Sequence, residues 1–461
     1  MPALRIPVLI AVATVACAIA AVAAGPPGDV SVTAWRAGAV CFTAAALWAT
    51  AVMPEYVTAL CLFFLLMVLG LAPAATVFSG FHSGAAWMVF GGLVIGAAVV
   101  GTGLAERIAH RLDRWLRGTY LRMLYALTAL TAGLGFFLPS ANSRVLILLP
   151  ITLELARRAG LGAGSTGRTG LCLAVAATTI YQSAPIMTSG VPNLVLLGAA
   201  ESIFGIHFRY GEWLVLHFPV LGVAGILGLP LIVRLLFPAA ATADAAPATP
   251  PTPLTGGQRR LAVYLTAALA LWATDTLHGI APSWIALGVA ILCIAPRAGV
   301  IPAAGLMQQI NLSAWIYVCG IVGMGAVVTQ TGLGDALGRA LLAALPLDRG
   351  ADFANFAIVA AIGMVLALVS GTPGLPAIMS PLAPSIAEAT GWPLATVLMA
   401  QMPSCMMALF PYQFTPMVLA IALAKLPIAA AARLMIAYTA FAWVVLVPLQ
   451  YLWWRALGMF G

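Results

Sequence analysis

The chain has 461 residues, 63% of them hydrophobic and 7% charged, with a mean hydropathy of +1.06. Soluble globular chains carry about 25% charged and about 45–50% apolar residues, so a soluble enzyme is excluded. Basic residues outnumber acidic ones 21 to 13, but twenty of the 21 are Arg in short gaps between apolar runs. That placement orients a membrane protein; it does not point to nucleic acid.

The apolar runs reach the length of a bilayer-crossing helix, and the short alternating segments of a transmembrane barrel are missing. The expected fold is an all-α polytopic membrane protein. Residues 1–30 begin with Arg5 and an apolar stretch from Ile6 to Ala24. This reads as a first transmembrane helix or as a secretory signal segment. Further spans are expected at about 36–53, 56–73, 85–104, 170–198, 211–237, 259–275, 281–296, 312–332, 393–426 and 431–457, giving about 11 with the first. The regions 119–160 and 352–390 are broken by Pro139-Ser140-Ala141-Asn142 and by Ser370-Gly371-Thr372-Pro373-Gly374. Each piece is too short to cross roughly 30 Å at 1.5 Å per residue, so both regions read as re-entrant hairpins.

A stretch rich in Ala, Pro and Thr (Phe237 to Gly257) divides the chain into blocks 31–237 and 259–461, with a cytoplasmic linker at 238–258. The blocks are related. Leu47-Trp48-Ala49-Thr50 recurs as Leu271-Trp272-Ala273-Thr274, and Leu71-Ala72-Pro73 as Ile294-Ala295-Pro296. Ala86-Trp87 recurs as Ala314-Trp315, and Thr102-Gly103-Leu104-Ala105-Glu106 as Thr331-Gly332-Leu333-Gly334-Asp335. The offset stays between 223 and 229. With the N-terminus in the cytoplasm, fifteen basic residues fall inside and five outside. Five crossings per block then turn the two halves opposite ways. Inverted repeats with broken helices are the architecture of secondary transporters.

Two more polar breaks interrupt long helices at matching places: Ser189-Gly190-Val191-Pro192-Asn193 and Pro411-Tyr412-Gln413-Phe414-Thr415-Pro416. Half-helix N-termini suit anions, and the freed carbonyls with Ser, Thr and Asn oxygens suit sodium. The candidate substrate-binding residues are Ser140, Asn142, Ser143, Arg144, Pro192, Asn193, Ser370, Thr372, Gln413, Thr415 and Pro416. Arg144 can pair with a substrate carboxylate or sulfonate, or bind hairpin carbonyls. Asp275 reads as a proton site or as an interfacial acid. Trp87 and Trp315 read as packing residues or interfacial anchors, and the basic run Glu106–Arg117 as an interfacial helix. The seven cysteines show no metal or disulfide spacing and read as buried packing residues. No His/Asp/Glu constellation suggests an intramembrane enzyme, and a channel would not need duplicated hairpins.

Leu47-Trp48 through Met53-Pro54-Glu55-Tyr56-Val57-Thr58-Ala59-Leu60, Gly91–Gly96 through Thr102–Arg107, and Pro139–Arg144 with Leu149-Pro150 carry a resemblance. They resemble the divalent anion/sodium symporter (DASS) family over nearly the whole chain after the first helix. The resemblance implies a multi-pass plasma-membrane (bacterial inner membrane) homodimer that moves a dicarboxylate, sulfate or related anion by an elevator mechanism. It needs no cofactor beyond sodium as coupling ion. Where the family has Ser-Asn-Thr, this chain has Ser140-Ala141-Asn142 and Ser370-Gly371-Thr372; where it has Thr-Pro-Pro-Asn, this chain has Gly190-Val191-Pro192-Asn193 and Phe414-Thr415-Pro416-Met417. A first sodium site would use Ser140, Asn142 and Gly190, and a weaker second one Gly371 and Thr372. The loss of Asn from the second motif keeps a proton-coupled or exchange-mode carrier open as the alternative.

Overall fold

The computed structural model describes residues 5–28, 30–50, 52–111, 118–138, 140–240, 242–243, 253–304, 306 and 310–461. Pro139, the later part of the basic run and most of the linker lie outside the described residues. The first block holds α1 (Arg5–Ala24), α2 (Val32–Thr50), α3 (Glu55–Val68), α4 (Gly84–Thr102), α5 (Leu104–Arg111), α6 (Tyr120–Gly135), α7 (Ala141–Arg158), α8 (Thr166–Tyr181), α9 (Val191–Phe204) and α10 (Tyr210–Leu236). The second holds α11 (Gly256–Ala273), α12 (Pro282–Ile294), α13 (Ser313–Gln330), α14 (Leu333–Ala344), α15 (Asp352–Met379), α16 (Ala383–Thr390), α17 (Leu394–Met399), α18 (Thr415–Ala424) and α19 (Ile428–Ala456). Gly118-Thr119 and Thr242-Ala243 form a short antiparallel pair that ties the linker to the loop before α6.

By length and composition, α2, α4, α10, α13 and α19 are long and apolar enough to cross a membrane. The expected spans at 56–73 and 281–296 are the shorter apolar helices α3 and α12. The span expected at 170–198 is two helices, α8 and α9, because residues 182–190 leave the helix. That at 393–426 is α17, two 3-10 turns and α18. Local chemistry sets the ends. Ser83, Thr119, Ser140 and Ser165 accept hydrogen bonds from the first-turn N–H groups of α4, α6, α7 and α8, and left-handed Gly103 and Gly205 close α4 and α9.

The packing is reciprocal between the related blocks. α3 lies on α13 while α12 lies on α4; α9 lies on α15 while α18 lies on α7. The contacts match residue by residue. A Cβ on Gly91 would stand 2.8 Å from the backbone carbon of Ala286, and one on Gly320, its equivalent, 2.7 Å from the Cβ of Ala59. The Trp48 indole donates to the Glu55 carbonyl at 2.9 Å, and the Trp272 indole to the Pro282 carbonyl at 3.0 Å. Trp87 and its equivalent Trp315 meet each other, ring centroids 6.2 Å apart, so both pack.

Gly91→Ala and Gly320→Ala are each expected to destabilise the protein by about 1–3 kcal/mol, because the added methyl meets a neighbouring helix. Gly96→Ala, with nothing within 4 Å of the new atom, should be neutral or stabilising. Thermal midpoints in detergent check all three; equal midpoints would remove the close-approach argument.

All seven cysteines are unpaired, and five are buried. Cys17 and Cys61 correct the sequence expectation: they are exposed on apolar helices. The Asp275 Oδ2 accepts from the Tyr210 N–H at 2.5 Å at the start of α10, while its Oδ1 is buried without a partner.

Candidate functional site

Four interruptions of helical backbone converge. The first is the tip between α6 and α7, where Ser140 accepts from the Ser143 N–H at 3.2 Å and so starts α7. The second is the segment 182–190 between α8 and α9. The third lies inside α15, where Gly371 alone leaves the helical region, at φ 68° and ψ 164°. This is left-handed backbone that a residue with a Cβ adopts only with strain, which accounts for Gly where the family motif carries Asn. The fourth runs from α17 to α18 and ends at Phe414.

A cavity of about 160 Å³ lies where they meet, the liquid volume of about five waters at ~30 Å³ each. The tip contributes Ser140, Ala141 and Asn142; the second break Ser183, Gly190, Val191 and Pro192; α15 Pro373; the fourth break Phe414, Thr415 and Pro416. The opposite wall is Glu55 of α3, Val89, Gly92 and Leu93 of α4, and Ala314 and Tyr317 of α13. The N-termini of α7, α9 and α18, and of the α15 segment after Gly371, all start at this cavity. Each helix N-terminus is equivalent to roughly +0.5 charge. The arrangement therefore offers an anion several unpaired N–H groups at one place. Pro192 and Pro416 sit within the first turn of α9 and α18, where a missing N–H costs no hydrogen bond.

Of the sequence candidates, Ser140, Asn142, Pro192, Thr415 and Pro416 border the cavity, as does Gly190. The others stand behind it. The Ser143 hydroxyl donates to Ser140 Oγ at 2.9 Å. Arg144 is fully buried and donates to the carbonyls of Ser189 (2.8 Å) and Thr179 (3.3 Å), while its Nε and Nη1 have no hydrogen-bond partner. These carbonyls belong to α8 and the second break, not to the hairpin, and two guanidinium nitrogens remain unused. Asn193 Nδ2 donates to the carbonyls of Ser183 (2.7 Å) and Ile186 (2.8 Å), folding the second break back onto α9. A Cβ at Gly190 would stand 2.7 Å from that of Ser183, so glycine permits this fold. Ser370 Oγ donates to the Leu366 carbonyl at 3.0 Å, and Thr372 Oγ1 is buried without a partner. Gln413 is consumed as a staple: its Oε1 accepts from the N–H groups of Leu409 and Phe410 at 2.8 Å, and its Nε2 donates to the Ala367 carbonyl at 3.1 Å. It joins the fourth break to α15.

Sequence reasoning missed Glu55, Ser183, Tyr317 and the α4 wall. Glu55 and the α4 glycines lie in the motif segments quoted for the family resemblance, but which of their faces meets the cavity is decided by tertiary packing. Among the described residues no group of three or more His, Cys, Asp or Glu could hold a metal ion.

The chain aligns with a protein named "Membrane protein" from Cupriavidus necator at 27% identity over 301 residues, 63% of this chain and 58% of that one. It aligns with the L-tartrate/succinate antiporter of Escherichia coli at 26% identity over 207 residues, 42% of each chain. The match thus spans less than two thirds of these relatives' lengths. The crystal structure of the Alcanivorax borkumensis YdaH transporter shares the fold, with a TM-score of 0.50 and 15% identity over 79% of this chain and 85% of that one. The family model described as sodium:sulfate symporter transmembrane region matches residues 5–460. The chain therefore belongs to the sodium:sulfate symporter family, in keeping with the five helices among the described residues that are long and apolar enough to cross a membrane.

Proposed function

We propose that this protein is a secondary carrier of a small divalent organic anion that works by exchange. The carrying observation is the convergence of four half-helix N-termini on one cavity. The reading includes about 11 spans with two re-entrant hairpins in an inverted repeat, in the bacterial inner membrane, with the lipid bilayer as solvent. The reciprocal contacts of Gly91 with Ala286 and of Gly320 with Ala59 support the repeat. The hairpins and broken helices would move as an elevator against α2–α4 and α11–α13, since the cavity lies between these two sets. A homodimer belongs to this reading through the family resemblance.

Arg144 favours exchange. A buried guanidinium without a carboxylate partner is a permanent positive charge close behind the second break. A site carrying its own cation needs an anion to neutralise it in each crossing, and an imported cation less. The name of the tartrate/succinate relative fits the same mode and a four-carbon dicarboxylate. Sodium-coupled symport is the second reading, favoured because Ser140, Asn142 and Gly190 all border the cavity and can offer oxygens to a cation. Gly371 and Thr372 would form the weaker site.

Proteoliposomes test both. Labelled succinate should enter when the lumen holds succinate or tartrate, equally in sodium and in choline. Uptake that needs sodium and no internal anion would overturn exchange and establish symport. No uptake of succinate, tartrate or sulfate in either salt would sink the carrier reading for these anions.

A further inference from the structure

We infer that Glu55 is a proton-linked gate of the anion cavity: the anion loads while the Glu55 carboxyl is protonated and is repelled when it is ionised. The inference rests on the anion-carrier reading above and adds a residue and a coupling to it. Glu55 borders the cavity and is also exposed, so it stands where the cavity opens. It sits at the first turn of α3, and its main chain is pinned by the Trp48 indole. Ser140 and Asn142 of the tip line the same cavity of about 160 Å³, so an anion held there shares the cavity with the Glu55 charge.

Among the described residues no cationic group is paired with that charge. α2 carries Arg36, fourteen residues before its end, about 21 Å along the axis from the α3 start. The short helix Ala74–Val77 carries no titratable side chain. On α13 the titratable groups are Tyr317, whose hydroxyl feels the Glu55 charge, and Cys319, which is buried. On α3 itself they are Tyr56 and Cys61. The rest of the cavity lining is uncharged, and Arg144 is turned to the Ser189 and Thr179 carbonyls. No ion pair to Glu55 exists among the described residues.

A carboxylate at the mouth of the cavity and an anion held inside it carry charges of like sign and repel each other. Adding one proton to the carboxylate removes the repulsion and creates an O–H that donates to the anion; losing it on departure restores the carboxylate. The related position in the second block is Pro282, which has no carboxyl. The proton dependence is therefore confined to the face of the membrane on which Glu55 opens.

The test has two arms on the full-length protein. In the first, infrared titration in detergent without substrate follows the protonated-carboxyl band of wild type and Glu55→Gln. A titrating band present in wild type and missing from the variant is expected; no difference overturns the gate whatever the substrate. In the second, succinate exchange is measured at about pH 6.5 to about 8.5, where succinate stays a dianion, in right-side-out and everted vesicles. The wild-type rate should fall at least fivefold as pH rises on one face only, and Glu55→Gln should be flat and at least as fast as wild type at the alkaline end. A variant that keeps the wild-type slope, a wild type without slope, or a folded but inactive Glu55→Gln each overturn the gate. If wild type exchanges no anion although the carboxyl band is present, the carrier reading has failed and the gate falls with it. Missing band with intact exchange sinks the gate alone.

Discussion

Arg144→Gln should lower exchange at least a hundredfold while leaving a folded protein. The guanidinium makes two charge-assisted bonds, to the Ser189 and Thr179 carbonyls. Such bonds are worth about 1.5–3 kcal/mol each, so losing even one of them weakens the support for the second break. Thr179 lies in the last turn of α8, where a cation also complements the negative end of the helix dipole. Glutamine can donate to one of the carbonyls but carries no charge. Counterflow at equal reconstituted protein reads the rate, and detergent melting reads the fold. Arg144→Lys separates the two contributions. If charge is what the site needs, Lys restores part of the rate; if the double carbonyl bridge is needed, Lys is as inactive as Gln. Exchange by Arg144→Gln within threefold of wild type would show that this buried cation serves neither the break nor the anion.

Much of the fold was legible because bilayer physics leaves few choices. Apolar runs had to be helices, and the run cut by Ser370–Gly374 does leave helical geometry there, at Gly371. The duplicated Trp48/Trp272 and Trp87/Trp315 pairs marked the block relation, and the same residues pack at matching places. Local detail was less legible. The tip was expected at Pro139–Asn142, yet Ala141 and Asn142 already belong to α7, since Ser140 is a good N-cap. The second break was expected at Ser189–Asn193, but the chain leaves the helix at Gln182, and Asn193 reaches back to hold the segment in between. Polarity in a sequence does not say whether a side chain faces a ligand or the backbone. Arg144, Asn193 and Gln413 look like ligand groups, yet each is engaged with freed carbonyls or N–H groups, which a broken helix must satisfy somewhere. Glu55 was overlooked for the converse reason: an acid at the start of an apolar helix looks interfacial until the hairpin tip is placed opposite it.

Asn193 offers a sharper separation of the two coupling modes than any salt substitution. Its Nδ2 holds the Ser183 and Ile186 carbonyls, while its Oδ1 is buried without a partner. If the side chain acts by holding the break, removing the donor leaves the buried Ser183 carbonyl unpaired, costing about 1–3 kcal/mol, and takes one of two donors from the Ile186 carbonyl, which keeps the Ser189 N–H. Asn193→Ala should then lose exchange by at least a hundredfold. Asn193→Asp should be worse still, because it sets a carboxylate against those carbonyls at the same volume. If instead Oδ1 ligates a transported cation, the order reverses: Asp supplies a stronger ligand and retains sodium-dependent uptake, while Ala abolishes it. Measuring both variants in sodium and in choline distinguishes the cases. With Arg144 already supplying a positive charge behind this break, the expected order is Ala above Asp in both salts, with the Asp variant also melting at the lower temperature.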